Sequence, residues 1–195
     1  MLQSAPEFKE LRDLDQAVER EIAQFLDQYL YSEASFDSTE RITDHNNQLA
    51  GMDIIVSSYP LGLSNAIVDE KSASHYVNST TLHTFAFELS FFRKDQSNQY
   101  TISTEGWLNN PRKKTEYYLL VWPFAKKANI FYYQFNNRKY PYFTKDDITR
   151  LDYALVSRER VRKFLLEKGF DEELPGITMR TIRKNAADQK ASYYN

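Results

Sequence analysis

The chain has 195 residues, a size that suits one domain built around a single hydrophobic core. Hydrophobic residues make up 42% of it and aromatic residues 15%, which is typical of a globular protein and excludes a disordered one. The formal net charge is −2, so any contact with nucleic acid has to come from local basic patches. There is no cysteine, which excludes disulfides, thiolate catalysis and cysteine-bound zinc.

Several other features are missing from the sequence. The amino terminus has no cationic segment followed by an apolar one, and no apolar run reaches a membrane-spanning length. We therefore expect a cytoplasmic protein without a membrane partner. None of the five glycines forms a Gly-x-Gly-x-x-Gly motif, so no nucleotide-binding loop is predicted. His45, His75 and His83 lack metal-ligand spacing and read as surface or packing residues.

The first element predicted is an amphipathic helix over residues 7–31, where apolar side chains recur every three or four positions. Ser4 has the capping-box spacing to Glu7 and is the predicted cap. Glu19 and Glu21 lie beside the apolar stripe and read as solvated, and whether either joins a site is left open. Residues 32–47 are polar, break the periodicity and are predicted to form a loop.

Two short apolar segments with charged residues at their ends follow this loop. The first, residues 51–56, contains Asp53, and the second, residues 65–73, contains Asp69 and Lys71. Both predict β-strands, and the separation of the two aspartates fits a hairpin. If the strands pair antiparallel, the two carboxylates converge at one end of the sheet.

Alternation along the second strand places Asp69 and Lys71 on one face and Glu70 on the other. Divalent cations such as Mg²⁺ prefer oxygen ligands, often one or two carboxylates together with water and substrate phosphate. A neighbouring lysine can orient a water molecule or offset charge on a reacting phosphate. The bland alternative is a solvated strand end that carries an ordinary ion pair.

An acid, a hairpin's spacing and then acid-x-Lys is a pattern that resembles the PD-(D/E)XK nuclease superfamily. Asp53 matches the first acid, Asp69 the second and Lys71 the lysine, while Met52 replaces the proline of the name-giving motif. The resemblance implies that Asp53, Asp69 and the backbone carbonyl of Glu70 bind Mg²⁺ or Mn²⁺. It also implies that Lys71 positions the attacking water in phosphodiester hydrolysis, with DNA as the substrate.

Further strands and one helix are predicted beyond the motif. Strands are expected at residues 84–91, 116–123 and 129–135, with Pro123 ending the second of these. In the first, the phenylalanines share one face and Glu88 lies on the other. We expect Glu88 to be exposed, and the alternative is that it is a third acid of the site. Residues 146–168 show helical periodicity up to a predicted cap at Gly169.

The densest basic run is Arg112-Lys113-Lys114, which is the predicted nucleic-acid contact; otherwise it is a solvated loop. Arg180, Arg183 and Lys184 in the basic C-terminal tail, residues 175–195, come next as candidates.

The fold class expected is α/β (α+β), with a restriction-endonuclease-like central mixed β-sheet of about five strands flanked by helices. We expect one domain over residues 1–195, with its core at residues 7–168. Two other functions stay open. One is an inactive binding or assembly protein on the same fold, and the other is a structural homodimer module with no catalysis.

Overall fold

The computed structural model describes residues 6–80, 85–88, 91–94, 100–103 and 106–168, with the backbone alone for 91–94 and 100–103. Its helices are α1 (Leu11–Tyr29), α2 (His45–Leu49) and α3 (Arg158–Glu167). Its strands are β1 (Ser38–Arg41), β2 (Ile54–Ser58), β3 (Leu63–Ser72), β4 (Phe91–Lys94), β5 (Tyr100–Ser103), β6 (Tyr117–Ala125), β7 (Phe131–Phe135), β8 (Arg138–Tyr142) and β9 (Ile148–Ser157). The described part of the chain is an α+β fold, as the sequence predicts.

A five-stranded mixed sheet forms the centre, in the order β1-β2-β3-β6-β9. The neighbours β3 and β6 run parallel, and every other pair in this sheet is antiparallel. The predicted sheet of about five strands is therefore confirmed, and so is the antiparallel hairpin of β2 and β3. β4 and β5 form a separate pair, and β7 and β8 form another.

Helix α1 covers one face of the sheet because its apolar side chains recur every four residues. Leu14, Val18, Ile22 and Leu26 are at most 3% exposed and pack against Val56, Val68, Leu119 and Val121. Burying a side chain of this size stabilises the fold by roughly 1.5–3 kcal/mol. The helix begins at Leu11 rather than at residue 7, and its N-cap Glu10 makes no side-chain capping bond.

The opposite face carries a smaller aromatic cluster around Leu108, Tyr118 and Leu120. Phe85 and Phe87 pack against it, but residues 85–88 are not in a strand, so that part of the predicted strand 84–91 is wrong. The phenylalanines are held by edge-on contacts with other aromatic rings rather than by a ladder of backbone hydrogen bonds. Glu88 is exposed, as predicted, but burial still raises its pKa, and a backbone hydrogen bond from Trp107 and the charges of Lys71 and Lys113 oppose that shift.

The prediction of one helix over residues 146–168 is wrong. Residues Ile148–Ser157 form β9, and only Arg158–Glu167 is helical. The strand pairs with β6 from Ser157 back to Ile148, so the sheet supplies the backbone hydrogen bonds that a helix would have made internally. The spacing of Leu151 and Leu155 fits a helix and a strand equally well, and pairing with β6 selects the strand.

Smaller corrections concern segments without a strong apolar pattern. Residues 32–47 contain the polar edge strand β1 and the start of α2, whose N-cap Asp44 accepts a hydrogen bond from Asn47 N. β6 continues through Pro123 to Ala125. The Pro123 carbonyl accepts a hydrogen bond from the backbone N–H of Asn78, on the side of β6 where β3 has already ended. Proline has no N–H to donate on that side, but no strand of the described chain lies there to accept one, so no hydrogen bond of the sheet is lost.

The predicted strand at 129–135 exists as β7, but it pairs with β8 and not with the central sheet. Asn136 and Asn137 both have positive φ in the two-residue turn between these strands, a conformation that asparagine tolerates better than most residues. Ser4, Gly169 and the tail from residue 175 lie outside the described residues. None of the helices described is both long and apolar enough to cross a membrane.

Candidate active site

The hairpin of β2 and β3 brings Asp53 and Asp69 together at one end of the central sheet. Ile54 pairs with Val68, and Asp53 and Asp69 are the residues just beyond this pair, so both lie at the same end of the hairpin. The Asp53 carboxylate accepts a hydrogen bond of 2.7 Å from the backbone N–H of Glu70. Asp69 is only 2% exposed. The structure thus places two carboxylates in one partly desolvated volume.

Lys71 lies beside this pair, on the same face of β3 as Asp69. Its ammonium is 2.5 Å from Asp69 Oδ1, and it also lies 5.6 Å from the centre of the Trp107 ring. The other carboxylate oxygen, Asp69 Oδ2, is 3.5 Å from the hydroxyl of Thr115, which donates its closer bond, 2.8 Å, to the carbonyl of Gly51. The Lys71 ammonium and the Thr115 hydroxyl therefore flank one buried carboxylate, and the Trp107 ring lies against the ammonium.

The electrostatics of the three charges are unbalanced. Burial and the neighbouring Asp69 raise the pKa of Asp53 to about 7, and Lys71 offsets this only in part. Burial alone would lower the pKa of Lys71, but the carboxylates of Asp69, Asp53 and Glu19, with Asp69 the foremost, together outweigh it and the pKa of Lys71 is raised. The ammonium therefore stays charged at neutral pH, and the pair of carboxylates carries more negative charge than Lys71 neutralises.

Glu70 points to the other face of β3, as strand alternation predicts. Its carboxylate accepts a hydrogen bond of 2.8 Å from Tyr31 Oη and lies 2.6 Å from the guanidinium of Arg41, which also pairs with Asp27. This carboxylate is therefore committed to the fold. The Glu70 N–H points toward Asp53, and the carbonyl of the same residue points to the same side of an extended strand. The carbonyl is thus the part of Glu70 that can serve the site.

An open cleft of about 670 Å³ lies between α1 and this end of the sheet. Asp53, Asp69 and Lys71 line it from the sheet, and Glu19 lines it from α1. Burial raises the pKa of Glu19, and the charge of Lys71 opposes that shift. Glu21 is directed elsewhere, because its carboxylate accepts a hydrogen bond from the backbone N–H of Lys145. Of these two helix acids, only Glu19 is placed near the motif.

The predicted basic run lies close to the carboxylates but is not uniform. Arg112 and Lys114 are exposed, whereas Lys113 is half-buried and donates a hydrogen bond of 2.9 Å to the carbonyl of Leu49. Burial lowers the pKa of Lys113, and the charge of Asp69 partly offsets that effect. Lys113 therefore holds the loop against the site, while its two neighbours face the solvent.

Arg158, the first residue of α3, fixes this loop in place. Its guanidinium donates to the carbonyls of Leu108, Asn110 and Lys113 at 3.0, 2.7 and 3.0 Å. Gly51 approaches the loop from the other side with φ +76°, and a Cβ there would lie 2.2 Å from Thr115 Oγ1 and 3.2 Å from Asp69 Oδ2. Glycine is thus required by the backbone conformation and by the available space.

Sequence reasoning missed Arg158, Thr115, Gly51 and Trp107 as neighbours of the site. Only Gly51 carried a usable signal, a glycine placed two residues before the first acid of the motif. The other three reach the site from residues remote in the chain, and no local pattern marks them.

Within the described residues, no group of three or more His, Cys, Asp or Glu side chains is arranged to hold a metal ion. The donor set predicted from the sequence consists of two carboxylates and one backbone carbonyl, so it contains only two such side chains. In comparisons with known proteins, no family model, no curated protein and no solved structure matches this chain.

Proposed function

We propose that the protein is a metal-dependent nuclease that hydrolyses phosphodiester bonds in DNA. The observation that carries the proposal is the buried pair Asp53 and Asp69, which opens onto a cleft with the Lys71 ammonium at its side. The acid-x-Lys spacing and its resemblance to PD-(D/E)XK nucleases support the same function. The resemblance also extends to the hairpin that joins the two acids.

The residues present fit a hard divalent cation, Mg²⁺ or Mn²⁺. Asp53, Asp69 and the carbonyl of Glu70 would hold it, and the raised pKa of Asp53 marks a carboxylate that lacks a full counter-charge. A bound cation of this kind supplies Lewis acidity and lowers the pKa of water. Arg41 and Tyr31 contribute by engaging the Glu70 carboxylate, which leaves the carbonyl of Glu70 as its part in the donor set.

Lys71 is the proposed catalytic residue. Its ammonium is already oriented by Asp69 and by the Trp107 ring, so little reorganisation is needed for it to stabilise charge on a phosphate or to orient a water molecule. The pKa of Lys71 is raised, so it acts here as a fixed positive charge and not as a proton acceptor at neutral pH.

A second function is favoured by the same ion pair. Lys71 and Asp69 are 2.5 Å apart, and the carboxylate is 2% exposed, which also suits a structural pair in a binding or assembly protein without catalysis. In that case removal of Lys71 strands a buried carboxylate and destabilises the fold by several kcal/mol. The two functions therefore predict different results for one substitution.

The test combines cleavage with melting temperature. Plasmid, linear and single-stranded DNA are incubated with the wild-type protein, Asp69→Asn and Lys71→Ala, with and without Mg²⁺ or Mn²⁺. If the protein is a nuclease, the wild type cleaves DNA only with metal and the two variants do not cleave it. Metal also raises the melting temperature of the wild type, and Asp69→Asn abolishes that rise.

Lys71→Ala is the decisive variant. Loss of cleavage with the metal-induced rise retained supports the catalytic role. A collapsed melting temperature that metal does not restore supports the structural pair instead. Lys71→Arg is the matched control, because it keeps the charge but not the compact ammonium. Full cleavage by Lys71→Ala would overturn the proposed mechanism.

A further inference from the structure

The wall of the cleft formed by α1 carries a regular row of hydrogen-bond donors. Arg12, Gln16, Arg20 and Gln24 are spaced four residues apart, all are exposed, and all four line the cleft. Side chains at i and i+4 form a continuous ridge on a helix surface. We call these four residues the α1 donor row. It borders the cleft into which Asp53 and Asp69 open.

The row is not used to hold the fold together. Within the described part of the chain, none of its four side chains makes a hydrogen bond or an ion pair with another residue. Three acids of the same helix are engaged instead, Asp15 with His75, Glu21 with the Lys145 amide, and Asp27 with Arg41, whereas Glu19 lines the cleft beside the row. The donors facing the cleft are thus available to a ligand.

The chemistry of the row selects an anionic, repeating ligand. Two arginines alternate with two glutamines, so the row offers positive charge and N–H donors to phosphate oxygens. Each step of four residues advances about 6 Å along the helix. A nucleic-acid strand presents one charged phosphate per nucleotide along its backbone, which suits a row of donors repeated along one axis.

The size of the cleft favours one strand over two. Its volume of about 670 Å³ lies in the range of pockets that enclose a single small molecule, roughly 300–1,000 Å³. A duplex has two backbones separated by grooves, the wider of them about 12 Å across, and cannot enter such a space as a whole.

We propose that the α1 donor row binds the phosphate backbone of single-stranded DNA and leads that strand to Asp53, Asp69 and Lys71. This inference rests on the proposed nuclease function. It adds a substrate form, single-stranded DNA, and a binding surface on a helix outside the acid-x-Lys motif.

The experiment measures binding by fluorescence anisotropy, with the full chain in EDTA and a labelled oligonucleotide as a single strand or as a duplex. The variant is Arg12→Gln with Arg20→Gln, and the control is Arg160→Gln with Lys163→Gln, two exposed cations of α3 that lie away from the cleft. Both doubles remove the same charge. Since all four residues are exposed, neither is expected to lower the melting temperature.

We expect the cleft variant to bind the single strand at least tenfold more weakly at low salt, while the α3 control binds like the wild type. The log–log salt slope should fall by about 0.7 for each lost phosphate contact on a single strand. Equal binding by the cleft variant and the wild type overturns the inference, as does a loss of affinity confined to the duplex.

Cleavage assays on the same proteins separate this inference from the nuclease proposal. If the wild type cleaves DNA with metal and the cleft variant binds and cleaves equally well, the role of the donor row in binding is refuted and the nuclease function is retained. No cleavage by the wild type, with single-strand binding that depends on the row, overturns the nuclease and supports the row. Absence of any DNA binding by the wild type overturns the row.

Discussion

Asp53 provides the sharpest physical test of the carboxylate pair. Its pKa is raised to about 7 in the folded protein by burial and by Asp69, whereas its ordinary value is 3.8. A carboxyl group whose pKa is raised on folding keeps its proton after the unfolded chain has released it. Its contribution to stability is therefore fully present below the unfolded pKa and is lost as the pH rises through the folded pKa.

The magnitude follows from the two pKa values. Between about pH 5 and about pH 8, a shift from 3.8 to about 7 removes roughly 2–3 kcal/mol from the free energy of unfolding. Asp53→Asn removes the titrating group but retains an oxygen that can accept the 2.7 Å hydrogen bond from the Glu70 amide. The free energy of unfolding of Asp53→Asn should therefore not fall in this way over the same pH range.

The assay is urea unfolding in EDTA at several pH values across that range. The stability of Asp53→Asn relative to the wild type should increase by roughly 2–3 kcal/mol from about pH 5 to about pH 8. Asp146→Asn, at an exposed site, is the control and should show no such increase. Millimolar Mg²⁺ at the higher pH should stabilise the wild type but not Asp53→Asn. A relative stability of Asp53→Asn that does not change with pH would refute the reasoning.

Three further predictions concern the surroundings of the site. Gly62→Ala, which has open space around it, should cost about 1–2 kcal/mol for its positive φ. Gly51→Ala should cost roughly 1–3 kcal/mol more, since its Cβ overlaps a side-chain oxygen; urea unfolding of both measures the difference. Arg158→Gln should lower the melting temperature and speed amide hydrogen exchange in residues 106–115, because three carbonyl contacts are lost. Arg112→Gln and Lys114→Gln should each reduce the log–log salt slope of duplex binding by about 0.9 per lost phosphate contact.

Each of these predictions has an outcome that contradicts it. Equal destabilisation by the two alanine substitutions would mean that the backbone near the first acid relaxes without strain. Unchanged exchange in the loop after Arg158→Gln would mean that the guanidinium does not hold it. An unchanged salt slope would mean that Arg112 and Lys114 make no phosphate contact.

The sequence by itself determined α1 and the hairpin of β2 and β3, because these elements depend on local periods of apolar residues. Leu14, Val18 and Ile22 repeat at the helical period and are buried on one side. Alternation along β3 predicted that Asp69 and Lys71 share a face and that Glu70 points away, which the contacts to Arg41 and Tyr31 bear out. These relations involve neighbours in the chain or the two halves of one hairpin.

Only the tertiary structure decided which distant groups surround the carboxylates and which segments became strands. Residues 148–157 satisfy a helical and a strand pattern alike, and the exposed edge of β6 favours the strand. Arg158 and Thr115 reach the loop and Asp69 through contacts 45 or more positions apart in the chain. A buried charge needs a partner, but the chain supplies that partner wherever the fold brings one close, and no local period encodes its position.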